Sequence, residues 1–276
     1  MTRKDFVERS IRGTLAFFKE AIFADETASR HGVMQSLDPR FKMMSILLLI
    51  LLVLFTRRMA VLGILYLLCL SLAALSQIRL GFFLKRTWIF IPLFSVMIAI
   101  PALFSFVSPG KTVISVGRLC ITQHGIRAAG FFVGRVITSV SWTVLLSMTT
   151  RHFALLRTLR FLRVPQVFVM VLGICYRYIY LFVEIIESTH RAIQSRIGSA
   201  IPYQKGQKIV AWNIAHLWTR SYTLNEQVYN AMISRGFRGE PVVLDHARAK
   251  PTDWLWLLGS ILMVLLLAVW EHGGKA

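Results

Sequence analysis

Residues 151–239 begin RHFALLRTLRFLRVPQVFVM and form a basic segment between hydrophobic stretches. The segment contains two similar tips, Ser195-Arg196-Ile197-Gly198 and Ser234-Arg235-Gly236. In each tip we expect the arginine in the last turn of a helix, before a glycine that can take the left-handed conformation that ends it. An arginine placed there can extend past the helix end and bind a partner's carboxylate. A single Arg-Gly helix end is usually only structural, but two on one segment favour a docking device.

The composition is that of an integral membrane protein. The chain has 276 residues, is 55% hydrophobic and has a mean hydropathy of +0.60. Its net charge of +19 would also suit a nucleic-acid-binding protein. However, the basic residues lie between apolar runs that are long enough to cross a bilayer. Basic cytoplasmic loops explain the charge without a nucleic-acid partner.

Acidic residues are missing from the whole of 39–183. Ion-coupled carriers and intramembrane enzymes usually keep a carboxylate at membrane depth, so this gap weighs against both classes. A self-sufficient carrier or channel and a membrane-bound enzyme remain the alternatives. The cysteines and histidines show no metal-binding spacing, and the chain has no Walker motif and no catalytic triad signature. We therefore expect no catalytic residue, no metal site and no cofactor bound by this chain.

The periodicity predicts an all-α integral membrane protein with about five transmembrane helices and a cytoplasmic arm of long amphipathic coupling helices. The loop 108–130 contains a β-like stretch at 112–116. The predicted spans are 41–55, 59–76, 88–107, 131–149 and 254–270. The predicted parts are a cytoplasmic amphipathic region at 1–40 with a helix at 11–23, a four-helix transmembrane part at 41–150, the arm at 151–253, and a last transmembrane helix with a short tail at 254–276.

The first half of the arm is predicted as two helices. Residues 151–163 alternate basic and apolar side chains, which is typical of an amphipathic helix on the inner membrane surface. Pro165 is expected as the first residue of a long helix that runs to about Ile197. Whether 167–186 crosses the membrane or lies at its interface stays open.

The second half of the arm is predicted as two further elements. Residues 202–220 form an amphipathic segment. Thr223 and Glu226 have the spacing of a capping box, which would open a short helix that ends at Arg235 and Gly236.

The charge distribution predicts the orientation. With the amino terminus inside, the loop 77–87 and the arm, with its 14 basic and six acidic residues, lie in the cytoplasm. Arg57 and Arg58 then fall on the outer side, against the positive-inside rule. Arg135 lies in the fourth span with no acid near it in the sequence, so we expect it to snorkel from the helix end.

The chain resembles the CbiQ/EcfT family, the transmembrane coupling (T) component of energy-coupling factor (ECF) transporters. These are ABC importers that take up vitamins and transition-metal ions in prokaryotes. The second tip is close to the family's Ala-Arg-Gly pattern, whereas the first departs from it at Ile197. The other matching motifs are Leu37-Asp38-Pro39-Arg40-Phe41-Lys42, Ile121-Thr122-Gln123-His124-Gly125-Ile126, Val164-Pro165 and Tyr176-Arg177-Tyr178.

The resemblance implies a non-catalytic subunit of the prokaryotic cytoplasmic (inner) membrane. Its two tips would dock onto two cytoplasmic ABC ATPase subunits, and those partners would bind ATP and Mg. The arm would transmit their motion to a substrate-binding integral membrane subunit, although contact with the lipid bilayer explains the same apolar surface. The cargo would be cobalt, nickel or a vitamin. The implied ATPase-coupling residues are Ser195, Arg196, Ile197, Ser234, Arg235 and Gly236, and the implied contacts with the substrate-binding subunit are Leu156, Leu159, Leu162, Val167 and Met170.

Overall fold

The structure is a computed structural model that describes residues 32–88, 91–100, 112–116, 119–197, 203–239 and 250–273. The helix predicted at 11–23 lies outside these residues. The chain divides into two compact units, which we call the bundle unit and the arm unit. The bundle unit is Asp25–Leu155 with Ala247–Ala276, and the arm unit is Met1–Ala24 with Leu156–His246.

The described elements are mainly helices, and the all-α class is confirmed. The β-like stretch predicted at 112–116 is a strand, and it pairs with the next strand in an antiparallel hairpin. In chain order the elements are α1 (Pro39–Phe55), α2 (Met59–Leu75), α3 (Leu80–Trp88), α4 (Ile91–Ala99), β1 (Thr112–Val116), β2 (Leu119–Thr122), α5 (Gln123–Thr149), α6 (His152–Thr158), a 3-10 turn (Leu159–Leu162), α7 (Gln166–Ile197), α8 (Tyr203–Ser234) and α9 (Pro251–Gly273).

The length and composition of these helices are those of a membrane protein. Among the described residues, three helical stretches are long and apolar enough to cross a membrane: Gly125–Thr149, Gln166–Ile193 and Pro251–Glu271. The shorter α2 is also apolar. Helix α1 has 17 residues, about 25 Å, which is the lower limit for a spanning helix.

The bundle unit has a core of apolar side chains that recur at helical spacing. On α1 the buried residues include Ile46, Leu49 and Val53, and they pack in one cluster with residues of α2 and α5 such as Leu65 and Trp142. The opposite faces of these helices are also apolar and are exposed, which is expected when lipid rather than water surrounds them.

Hydrogen bonds between helices define the directions in which they run. At one end of the bundle unit, which we call the arm end, Asp253 at the start of α9 accepts a hydrogen bond from the Asp38 main chain at the start of α1. At the other end, which we call the turn end, Glu271 near the end of α9 accepts one from the Arg57 main chain just after α1. Helices α1 and α9 are therefore parallel. Lys42 reaches the last residue of α5 at the arm end, so α5 is antiparallel to both.

The third predicted span, 88–107, is described only in part, because 89–90 and 101–107 lie outside the described residues. Within it, α4 ends at Ala99, and α3 already begins at Leu80, before the predicted start. The predicted loop 77–87 is therefore mostly helix. The turn before α3 is short because Gln77 takes a left-handed conformation with φ of 56°, which closes α2 within two residues.

The other predicted spans are confirmed as helices, with shifted ends. The helices α1 and α2 match 41–55 and 59–76 closely, and they are separated by Thr56, Arg57 and Arg58. The helices α5 and α9 are longer than predicted, since they continue into polar residues at their ends.

Two predicted helix boundaries between 151 and 235 are wrong. The helix predicted at 151–163 ends at Thr158, continues as the 3-10 turn, and stops where Arg163 adopts a left-handed φ of 63°. The capping box at Thr223 does not start a helix, because α8 runs unbroken through it. The Thr223 hydroxyl instead donates to the Thr219 carbonyl at 3.0 Å, as is common for threonine inside a helix.

Candidate functional site

The second tip has the helix end that the sequence predicts. Helix α8 ends at Ser234, and Gly236 has a φ of 83°, a conformation that favours glycine. The Gly236 N–H donates to the Ile233 carbonyl at 2.9 Å, and the Phe237 N–H donates to the Met232 carbonyl at 3.0 Å. These two bonds form a Schellman motif. They fix Arg235 as the residue at which the helix stops.

The surroundings of Arg235 leave its side chain accessible. Ser234, Arg235 and Gly236 are all exposed. The Ser234 hydroxyl turns back to the Asn230 carbonyl at 2.9 Å, so it does not bind the arginine. Arg235 forms no ion pair with any carboxylate in the described parts of the chain. A guanidinium group held at a helix end in this way can donate two parallel hydrogen bonds to a carboxylate.

The first tip is described only in part. Arg196 lies in the last described turn of α7, and the helix end predicted at Ile197 and Gly198 stays a prediction because 198–202 lie outside the described residues. Arg196 is exposed and has no ion pair within the described segments. The Ser195 hydroxyl donates to the Ala192 carbonyl at 2.9 Å, one turn back, as in the second tip. The nearest ion pair on this helix, Arg191 with Glu187 at 2.6 Å, is one turn earlier.

The five apolar residues of this chain that are predicted to contact a substrate-binding subunit are accessible to different degrees. Leu162 and Val167 are exposed, while Leu156, Leu159 and Met170 are half-buried. The exposed apolar surface of this region also includes three residues that the prediction omitted, namely Phe161, Phe168 and Val171. These residues are large and apolar in the sequence as well. The prediction omitted Phe161 because it placed this residue in a continuous α-helix at 151–163, whereas it lies in the 3-10 turn.

The joint between the 3-10 turn and α7 is tied by polar contacts. The Arg160 guanidinium donates to the Gln166 side-chain oxygen at 2.9 Å. Helix α7 begins at Gln166, one residue after the predicted start at Pro165, and the Pro165 carbonyl accepts from the Phe168 and Val169 N–H groups. The apolar residues on both sides of the joint are therefore held by one local structure.

The motif 37–42 has a structural role at the arm end of the bundle unit. The Lys42 ammonium is buried and donates to the Thr149 carbonyl at 3.1 Å and to the Thr150 hydroxyl at 3.0 Å. The Asp38 carboxylate accepts from the Arg40 N–H at 2.9 Å and caps α1. Lys42 therefore joins the start of α1 to the end of α5 and to Thr150, which follows it.

Asp253 makes a second polar contact at the arm end of the bundle unit, at the start of α9. Asp253 is 1% exposed, and its carboxylate accepts from the Lys250 N–H at 2.8 Å and the Asp38 N–H at 3.0 Å. The first contact caps α9, and the second attaches α9 to α1. The sequence predicts Asp253 only as the end of the arm, and no sequence pattern indicates its contact with Asp38, because the two residues are 215 positions apart.

Arg135 does not snorkel in the way that we expected. Its guanidinium donates to the Thr56 carbonyl at 2.7 Å, at the turn between α1 and α2. It also lies 6.0 Å from the centre of the Phe131 ring. It therefore holds a helix end inside the bundle unit. The described residues contain no group of three metal-ligating side chains placed to hold an ion.

Comparison with known proteins adds direct evidence. Residues 31–243 match the family described as cobalt transport protein, CbiQ. An uncharacterized protein of Methanocaldococcus jannaschii is 30% identical over 96% of this chain and 92% of its own length. The energy-coupling factor transporter transmembrane protein EcfT of Streptococcus thermophilus is 25% identical over 84% of this chain and 89% of its own length. The nickel permease LarQ of Lactiplantibacillus plantarum is 28% identical over 45% of each chain.

These matches cover both units and both tips. The family match extends from before α1 to beyond Arg235, and the similarity to EcfT runs over most of both chains. The resemblance that the motifs indicated is therefore confirmed. This chain belongs to the CbiQ family of transport proteins.

Proposed function

We propose that this chain is the T component of an ECF-type importer in a prokaryotic cytoplasmic membrane. Its role is to connect two cytoplasmic ABC ATPase subunits to a substrate-binding membrane subunit. The family membership and the similarity to EcfT support the class of transporter. The observation that carries the mechanism is a pair of exposed arginines in one unit, Arg196 in the last described turn of α7 and Arg235 at the end of α8.

Each of these arginines is suited to a groove lined by carboxylates. At such an interface the guanidinium loses its hydration and is compensated by two short charge-assisted hydrogen bonds. A long helix connects each docking point to the rest of the unit. Helices α7 and α8 each have 32 residues, or about 48 Å. Closure of the ATPases on ATP would move these helix ends and, through the helices, the exposed apolar surface around Phe161 and Phe168.

We further propose that the cargo is a transition-metal ion, cobalt or nickel, or alternatively a vitamin. The family's description as cobalt transport protein and the name of the nickel permease LarQ favour a metal ion. The cargo would be recognised by the substrate-binding subunit. In this proposal ATP and Mg bind to the ATPases.

The docking step is tested with charge-reversal variants. Arg196→Glu, Arg235→Glu and the double variant are produced with the ATPases that copurify with the wild-type chain, and the ATPase retained per T chain is quantified. Removal of a desolvated charge partner at an interface commonly costs ~2–5 kcal/mol in binding free energy. We therefore expect the amount of ATPase retained by the double variant to fall by a factor of about 30 or more.

The matched control reverses two exposed arginines of the same unit that are not at the docking positions. Arg220→Glu and Arg238→Glu change the net charge by the same amount, and we expect them to retain the ATPases. Thermal unfolding in detergent checks that each variant is folded. ATPase retention at the wild-type level in the double variant Arg196→Glu/Arg235→Glu would refute the docking role of the tips.

A further inference from the structure

The turn end of the bundle unit carries basic residues in a place that the family function does not explain. Thr56, Arg57 and Arg58 connect two apolar helices, α1 and α2. The Arg135 guanidinium lies against this turn through its hydrogen bond to the Thr56 carbonyl. Three arginines therefore meet at one end of the helices, opposite the end from which the arm departs.

The acid nearest to this cluster does not neutralise it. Glu271 is buried, and its carboxylate accepts the main-chain N–H of Arg57. In the described residues, none of the three guanidinium groups is in an ion pair. Three positive charges and one negative charge leave a net charge of +2 at this site. The Arg57 side chain is exposed, so its charge faces the surroundings.

The surroundings of the cluster are those of a lipid headgroup and its acyl chains. The Arg58 guanidinium lies 5.4 Å from the centre of the Trp270 ring, and tryptophan concentrates at the level of the headgroups. On the bundle side of the turn, Leu54 and Phe55 are exposed apolar residues, and Phe55 is 75% exposed. Acyl chains can cover this surface while a phosphate stays beside the arginines.

We propose that the turn end is a binding site for an anionic glycerophospholipid, whose headgroup phosphate contacts Arg57 and Arg58. Arginine binds phosphate through paired N–H groups, and each basic residue near an anionic membrane surface contributes about 1 kcal/mol. Arg135 has a different role in the site. It supports the turn from inside, because its guanidinium is bound to the main chain.

The site also explains a conflict with the positive-inside rule. Both chain connections to the basic arm leave from the arm end of the bundle unit. In the orientation proposed above, with the arm in the cytoplasm, the turn end therefore lies on the outer side of the membrane. Arginines on that side are unfavourable for orientation. A bound anionic lipid balances their charge and gives a reason for their presence.

The test measures lipid binding by native mass spectrometry of the full chain released from detergent. The probes are phosphatidylglycerol and phosphatidylcholine with the same acyl chains. For wild type we expect phosphatidylglycerol to bind at one site more tightly than phosphatidylcholine. For Arg57→Gln/Arg58→Gln we expect binding of phosphatidylglycerol to weaken about 30-fold, about fivefold for each charge removed. Arg57→Gln alone removes an exposed side chain and should weaken binding about fivefold.

The control is Arg40→Gln/Arg79→Gln, which removes two exposed arginines from the arm end. We expect its binding of phosphatidylglycerol to equal that of wild type. Equal weakening in this control would mean a general effect of charge, and it would overturn the proposal. Unchanged binding in the turn-end variants would also overturn it, because the lipid would then bind elsewhere on the chain. Displacement of the lipid by millimolar inorganic phosphate would reduce the site to a simple anion site and would equally contradict it.

Discussion

At the scale of single residues, polar contacts between distant parts of the chain hold the bundle unit together. Asp253 satisfies two main-chain N–H groups, one at the start of its own helix and one at Asp38. Lys42 satisfies the carbonyl at the end of α5. In an apolar environment an unsatisfied polar group is expensive, so these few contacts determine how the helix ends are joined.

The role of Asp253 predicts the effect of removing its charge. Asp253→Asn keeps one acceptor oxygen and places an NH₂ group against an N–H donor, so one of the two main-chain groups loses its partner. We expect a loss of about 1.5–3 kcal/mol in the free energy of unfolding, measured from thermal unfolding in detergent. The control Glu226→Gln changes an exposed acid on α8 and should leave stability unchanged. An Asp253→Asn variant as stable as wild type would show that these bonds contribute little.

At the scale of elements, α5 has two glycines where it packs against α2. A Cβ at Gly134 would lie 3.6 Å from the Leu62 side chain, and a Cβ at Gly130 would lie 3.1 Å from the end of Met59. The spacing Gly130-x-x-x-Gly134 lets two helices approach closely, which is a common device in membranes.

This packing predicts a size limit at Gly134. Gly134→Ala fits at ordinary contact distance and should keep or slightly raise stability. Gly134→Leu would overpack the contact and should lower the free energy of unfolding by about 1–3 kcal/mol. Gly63→Leu is the matched control, because nothing lies within 4 Å of a Cβ at Gly63 in α2. If Gly134→Leu and Gly63→Leu unfold at the same temperature, the close approach of α2 and α5 at this position is wrong.

The continuity of α8 can be tested with a proline. If a helix started at Thr223, proline at Asn225 would fall in its first turn and be tolerated. In the unbroken helix the same change removes a backbone hydrogen bond and introduces a steric clash, and together these destabilise the helix by about 3 kcal/mol. We expect Asn225→Pro to become sensitive to limited proteolysis near this residue, whereas Asn225→Ala stays resistant. Equal resistance of the two variants would support the capping box instead.

The sequence predicted the elements whose signals are local. The apolar runs of α1 and α2 and the glycine end at Gly236 depend on neighbouring residues, and they are confirmed. The capping box failed because the threonine-to-glutamate spacing also occurs inside helices, where the hydroxyl bonds to the preceding turn. The long-range contacts of Lys42, Asp253 and Arg135 were missed, since no single-sequence pattern shows partners 79 to 215 residues away.

At the scale of the whole molecule, the two units differ in the residues they expose and in the polar contacts they contain. The bundle unit has an apolar core, and the hydrogen bonds of Lys42 and Glu271 that join its helices lie near its two ends. The arm unit carries the exposed arginine tips and an exposed apolar surface. This difference suits the proposed role, in which the chain passes motion from ATPase subunits to a substrate-binding subunit. It predicts that the chain alone does not transport.

The most direct measurement is to purify the tagged chain in mild detergent from its own cells and to identify the proteins that accompany it. We expect two ABC ATPase chains and a small hydrophobic subunit, and after reconstitution we expect uptake that requires ATP and all of these subunits. A chain that purifies alone and still transports its cargo after reconstitution would contradict this account and would identify a self-sufficient carrier.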